Sequence, residues 1–369
     1  MATAMLKGNR FLNSAVFGAI VMTLAAKLEL NRRLRFLERV PIVNARDDEL
    51  MGRYTGTILA ADVIADGAKA GVYEAGQLEL VTTALANVKI GRRLTQGDLQ
   101  RMQELGSRQV TESDVNEMAD FENMLAENVV TGVRQMQNAI VCGMMVDSVS
   151  VDRLGIKSTG SFGMPADLKF TPGTAWSSTS STPISDIQAA RDYAADTYGK
   201  DYNRITMPRK TFTAITKTDE FKAKVTTLLG FAAAAAAINT GDRVSMGTAL
   251  SRLLDDMIID IDDATIARQS SAGVIARSRV LPIGNAFLSN SNDDGDRTIF
   301  DLGNAIVTES IVAELMGNAP AGLGGRVYGP IGYYDGELNP PSAIAWGVAR
   351  CWPRKHQPEA TALFNTGIT

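Results

Sequence analysis

The chain has 369 residues, 45% of them hydrophobic and 21% charged, which suits a globular protein with one large or two ordinary cores. A formal net charge of −4 argues against a generally basic nucleic-acid binder. Two cysteines are too few for a disulfide framework, so Cys142 and Cys351 are expected as small core residues of a reduced protein.

The charge is uneven along the chain. Residues 1–46 carry Lys7, Arg10, Lys27, Arg32, Arg33, Arg35, Arg39 and Arg46 against Glu29 and Glu38, which makes this arm +6 and the remainder −10. The apolar run 11–26 behind Lys7 and Arg10 imitates a secretory leader. It contains Asn13, Ser14 and Thr23 and falls short of the ~20 residues of a membrane span. It is expected to dock on another protein surface, and no membrane partner is expected. The helical pattern continues through 31–39 until Pro41 ends it. The arginines there suit contact with a polyanion, or the commoner solvated face with local ion pairs.

Segments 55–64 and 77–90 are rich in threonine, valine, isoleucine and leucine. Between them, 65–76 holds Gly67, Gly71 and Gly76. This predicts a long hairpin with a flexible tip. A two-stranded ribbon is marginal in water by itself, so it needs a partner surface, the first hint of assembly.

Residues 111–147 read as one long helix. Phe121, Leu125, Val129, Val133, Met136, Ile140 and Met144 follow at steps of three or four and form one stripe. Thr111 and Asp114 suit a helix start. Acidic residues crowd the first half, where the helix dipole favours them. Such a rod is roughly 55 Å long at ~1.5 Å per residue and is read as a spine on which sheets and loops pack.

Residues 158–181 are rich in glycine, serine, threonine and proline around Trp176 and read as a linker. A helix is predicted over 183–198, with Ile184, Ile187, Ala190, Tyr193 and Ala194 on one side. A short strand follows over 202–207. Pro208 opens a helix to about Phe221. The stretch 228–256, with alanines 232–237, is helix-forming. Strands are predicted over 257–266, 280–288 and 298–307, so 183–310 forms an α/β domain. A glycine-rich loop spans 317–332, a terminal strand spans 342–352, and 353–369 reads as a short tail.

Chemistry is sparse. His356 alone supports neither a triad nor a histidine metal cluster and is expected on the surface of the tail. No phosphate-binding GxxxxGK[ST] loop occurs, and Gly322, Gly324, Gly325 and Gly329 miss the GxGxxG pattern at Val327. Asn290, Asn292, Asp294, Gly295 and Asp301 match calcium-loop spacing. Asn at the first position and the short Asp at the twelfth weaken charge and bidentate reach, so a hairpin turn is the better reading. Asp255, Asp256, Asp260, Asp262 and Asp263 form an acidic cluster that could hold a divalent ion. Strand alternation, with Ile259 and Ile261 inward and acids outward, explains most of it without metal. No catalytic residue, cofactor or metal site is therefore expected.

At Trp176 the chain begins to resemble a known family. Thr174-Ala175-Trp176-Ser177 precedes Pro183-Ile184-Ser185-Asp186-Ile187 and a helix. Arg204-Ile205-Thr206-Met207-Pro208 then runs into another helix. Leu281-Pro282 opens a strand that ends near Asn290, and a closing strand covers 343–351. This order is similar to that of the major capsid proteins of lambda-like tailed bacteriophages.

The resemblance implies an α+β protein with the tailed-phage major capsid fold of the Hong Kong phage type. Its parts would be an N-terminal arm (1–50), an extended hairpin loop (51–110), the spine helix and first part of a peripheral domain (111–182), an axial domain (183–310), and return strands of the peripheral domain with a tail (311–369). It implies a structural subunit, not an enzyme, that self-assembles as hexamers and pentamers of an icosahedral head. The head would assemble in the host cytoplasm, become the capsid of the virion and enclose double-stranded DNA. Further expected partners are a scaffolding protein, a portal and a decoration protein.

Some relatives join a loop lysine to a neighbour's asparagine. Lys69 and Asn339 are the residues to consider here, with unlinked packing the expectation. Two rivals are a bacterial encapsulin-type nanocompartment shell and a soluble enzyme with a metal at Asp260, Asp262 and Asp263. A jelly roll needs about eight strands and has no place for the long helix.

Overall fold

A computed structural model describes residues 34–44, 50–55, 77–82, 86–93, 131–153, 156–229, 243–269, 275–290, 299–305, 331–332 and 344–368. The apolar run of the arm, the hairpin tip with Lys69, residues 111–130, the alanine run, most of the 290–301 loop, the glycine-rich loop and Asn339 lie outside the described residues.

In chain order the first elements are β1 (Ile42–Asn44), β2 (Leu50–Thr55), β3 (Gln77–Thr82), β4 (Ala86–Arg93) and helix α1 (131–145). Next come β5 (Val149–Arg153), β6 (Ile156–Gly160), β7 (Lys169–Phe170), α2 (Pro183–Tyr198), β8 (Arg204–Met207), α3 (Arg209–Lys217) and α4 (Asp219–Leu229). The rest are α5 (Arg243–Leu253), β9 (Ile258–Ile261), β10 (Thr265–Gln269), β11 (Ile275–Arg279), β12 (Asn285–Ser289), β13 (Phe300–Ala305), β14 (Ile331–Gly332), β15 (Ile344–Lys355) and β16 (Thr361–Asn365). They divide into two compact units, one of 1–49, 83–138 and 302–353, the other of 50–82, 139–301 and 354–369.

In the first unit, a sheet runs β1-β13-β15-β14, with β4 also paired to β15. β4 and β15 are antiparallel and register Val88 against Ala349, both buried. Ahead of β1, the described residues of the segment expected as helix over 31–39 hold a short 3-10 turn at Leu37–Arg39. The reason is a competing acceptor. Asn138 Oδ1, on α1, takes the amides of Phe36 and Leu37 at 3.1 Å each, groups that a helix would commit to its own carbonyls. Leu34, Phe36, Leu37 and Val40 are all buried there.

In the second unit, a mixed sheet runs β7-β16-β12-β8-β9. β12 pairs antiparallel with β16 and β8, while β7 and β9 join in parallel. Its core joins Ile205 and Met207 of β8, Ala286 and Leu288 of β12, and Ala362 and Phe364 of β16 to side chains of α2–α5. α2 matches its predicted span. Pro183 opens it, where a missing N–H costs nothing, and Ile184, Ile187, Ala190 and Ala194 are buried. It stops at Gly199, which takes the left-handed φ of 63° that glycine tolerates. Tyr193, expected on the buried side, is instead exposed at the edge, edge-on to Phe170.

Several predicted elements are cut where a side chain offers the backbone an alternative partner. The helix expected over 208–221 breaks at Thr218, whose Oγ1 accepts the amide of Phe221 at 3.2 Å and caps α4. The strand expected over 257–266 breaks after β9, where Asp262 accepts the amide of Ala264 at 2.8 Å. The run 77–90 is two strands: β3 pairs with β2, and β4 leaves to join β15.

Two readings fail on burial. The linker around Trp176 is packed structure, with the indole fully buried and tilted against Phe364 at 5.1 Å. The tail is β16, paired on both sides within its sheet. Gly367 beyond it has φ 67° and sits where a Cβ would meet Ala175 Cβ at 2.9 Å, so that turn admits only glycine.

Candidate functional site

The described part of the expected spine helix, α1, buries Val133, Ile140 and Met144 of the predicted stripe. Its C-terminus is built around Asp147. The amide of Asp147 bonds to Met144 O at 3.2 Å and that of Ser148 to Gly143 O at 2.8 Å. That is the Schellman pattern, and it places Asp147 at φ 55°, a position usually held by glycine. The carboxylate, 1% exposed, turns to the loop ahead of β7. It accepts the amides of Phe162 (2.6 Å) and Met164 (3.3 Å), the hydroxyl of Ser161 and the ammonium of Lys169 (2.7 Å). Burial alone would raise this carboxyl. The Lys169 bond and the two amides outweigh it and hold the group below its ordinary value. One residue thus ends a helix and orders the turn that leads to a sheet. Only its place after a helix and before a Gly/Ser segment hinted at this.

Two more carboxylates fix α2. Glu220, from the first turn of α4, accepts the amides of Ile184 (2.9 Å) and Ser185 (3.1 Å) and the Ser185 hydroxyl, and it pairs with Lys224. It covers orphan amides at the α2 N-terminus. Asp186 accepts the indole N–H of Trp176 at 2.9 Å. Burial and the nearby Glu220 charge raise the Asp186 carboxyl above its ordinary value, against the Trp176 bond.

Three of the five residues of the acidic cluster, Asp255, Asp260 and Asp263, pair with arginines, and Asp256 sits at a left-handed φ of 60°. Asp260 pairs with Arg204 at 2.9 Å, and Asp263 pairs with Arg209 at 2.8 Å and Arg279 at 2.5 Å. Asp255 and Asp201 share Arg191 at 3.3 and 3.0 Å. Ile259 and Ile261 pack against the core, as the alternation of β9 requires. Asp262 departs from the expected outward acids: it is buried and serves the turn at Ala264. Among the described residues, no three His, Cys, Asp or Glu side chains gather as a metal centre.

Asp301, the twelfth position of the calcium-like spacing, is likewise committed. Arg354 grips it twice, Nε at 2.5 Å and Nη2 at 3.0 Å. His356 Nε2 lies 2.7 Å from Oδ2, the oxygen that also accepts Arg354 Nη2. His356 is therefore not a bare surface histidine: its side chain is 28% exposed and held by a buried carboxylate. Burial raises the Asp301 carboxyl, but His356 and Arg354 together bring it below the ordinary value. Cys142 and Cys351 are buried thiols, not joined in a disulfide. Burial pushes the Cys351 thiol up to about 11, even with Gln137 donating to the sulfur.

β2–β3, β5–β6 and β10–β11 are each two-stranded sheets. In β10–β11, all of Ile275–Arg279 is exposed, Ile275 to 68%. No helix among the described residues is long and apolar enough to cross a membrane.

A family model for phage major capsid protein E matches residues 51–257. No curated protein matches the sequence. A phage-related protein from Bordetella bronchiseptica RB50 superposes with TM-score 0.54 and 14% identity, over 95% of this chain and 98% of that one. The putative capsid protein of a prophage of Escherichia coli CFT073 superposes with TM-score 0.52 and 11% identity, over 92% and 98%. An encapsulin from Synechococcus elongatus PCC 7942 reaches TM-score 0.37 at 10% identity over 90% and 87%, too slight a likeness to argue from. The fold is thus the α+β fold of tailed-phage capsid proteins.

Proposed function

The chain belongs to the phage major capsid protein E family, a structural protein of the phage head, and from that premise we propose that it closes an icosahedral shell of pentamers and hexamers around double-stranded DNA. The observation that carries this is the family match over 51–257, which takes in the β2–β3 ribbon and most of the second unit. Physical support comes from the ribbons. A two-stranded sheet is marginal alone, and identical chains that exchange such elements bury them in repeated, closed interfaces.

In this reading 1–50 is the arm, 51–110 the extended loop and 111–182 the spine and the start of the peripheral domain. Residues 183–310, completed by the strand Thr361–Asn365, form the axial domain, and the remainder of 311–369 returns to the peripheral domain. The subunit acts without catalytic groups, cofactor or metal. It assembles in the host cytoplasm with a scaffold and a portal, and a decoration protein can bind outside. The arm's arginines face neighbouring subunits or the genome, while a body of −10 keeps the inner wall from binding DNA along its length.

Particles purified from expressing cells test the reading through their contents and their arm. Nuclease-protected DNA in phage-derived heads agrees with it; an enzyme cargo would favour the nanocompartment. Replacing Arg32, Arg33 and Arg35 by glutamine should impair assembly or DNA retention, and unchanged particles would reject the role given to the arm. Monomer-sized bands from boiled particles are expected, with Lys69 and Asn339 unlinked.

A further inference from the structure

We propose that the β10–β11 ribbon docks on the outer face of α2 in a second copy of the chain, resting on the shell reading above. The antiparallel register puts Ala267 opposite Arg277 and Gln269 opposite Ile275 on one face of the ribbon. Ile275 and Arg277 are exposed there, and Arg277 has no partner among the described residues. From 265 to 279 the sequence holds Arg268, Arg277 and Arg279 and no acidic residue. Arg279 is taken by Asp263, so Arg277, beside exposed Ile275, is the open charge of this face, a poor pair to leave in water.

The complementary surface is on the same chain. The outward face of α2 shows Asp192 and Asp196, both exposed, one turn apart and without a partner among the described residues. Like charges four residues apart disfavour a helix, and they sit in its last two turns, where the dipole opposes them further. Arg277 laid across that face relieves both penalties as the ribbon covers Ile275. Ribbon and helix face are different patches, so the contact is head-to-tail between copies. Such contacts generate rings when the rotation closes.

Charge reversal in the full-length chain tests this. Arg277→Glu alone, and Asp192→Lys with Asp196→Lys alone, should each lower the assembled fraction in sedimentation by roughly tenfold or more, since both put like charges face to face. The three changes combined should restore assembly. Circular dichroism and thermal melting of each variant monitor the fold. Reversals that assemble like the parent chain overturn the proposal. So does a combined variant that folds and still fails to assemble. A parent chain that never assembles rejects the shell reading itself and this contact with it.

Discussion

Lys169 Nζ lies 2.7 Å from the buried carboxylate of Asp147, which joins the left-handed residue that ends α1 to the first residue of β7. Removing that carboxylate orphans the amides of Phe162 and Met164 as well as the ammonium. Asp147→Ala is expected to cost about 3 kcal/mol by urea unfolding. Asp147→Gly should be milder by about 1 kcal/mol, because glycine accepts the left-handed φ without a Cβ clash. Because folding lowers this carboxyl below 3.8, its contribution is full above that pH and drains away as pH falls below it. The two variants should therefore lose less stability than the parent chain on acidification below about pH 4.

Asp301 holds Arg354 in a bidentate grip with little solvent at either side chain. Asp301→Asn leaves a guanidinium short of its counter-charge. It is expected to cost about 3 kcal/mol in chemical denaturation. His356→Gln keeps the Arg354 pair and should cost under about 1 kcal/mol. Equal costs for the two would contradict a larger stabilising share for the bidentate Arg354 pair than for the His356 contact.

At Asp186 the two obvious substitutions should part in sign. Folding raises this carboxyl, so the ionised group opposes the fold at neutral pH and stops doing so as pH drops below its ordinary range. Asp186→Asn retains an acceptor for Trp176 and should be at least as stable as the parent at pH 7, with the difference fading by about pH 4. Asp186→Ala leaves a fully buried indole N–H without its acceptor and should cost about 1–3 kcal/mol. Thermal melts at both pH values compare them.

Thiol labelling probes the packing around α1. Cys351 is fully buried with its thiol raised to about 11, and Cys142 is fully buried beside Val280 O. Neither should react with an aromatic disulfide reagent at pH 8 in the folded chain, and both should react in denaturant. Rapid labelling of the native chain would show that these positions open.

Much of the second unit was legible from periodicity. The apolar spacing from Ile184 to Ala194, with Pro183 before it and Gly199 after it, marks α2 at both ends because each signal is local. Errors came where a distant or short-range polar partner intervened. Thr218 and Asp262 cut longer elements by capping backbone amides, and Asn138 took the amides of Phe36 and Leu37 from more than a hundred positions away. β16 reads as a tail because five residues carry too little alternation, and its strand state comes from β12 and β7 on either side. The role of Asp147 is written in tertiary contacts with 161–169, which no spacing rule reports.

Sedimentation of the purified full-length chain, followed by electron microscopy of what sediments, bears on the shell most directly. The account predicts ring-shaped capsomers or closed particles well above the 39.5 kDa of one chain. A lone, stable 39.5 kDa species at high protein concentration, with its ribbons folded against its own body, would contradict it.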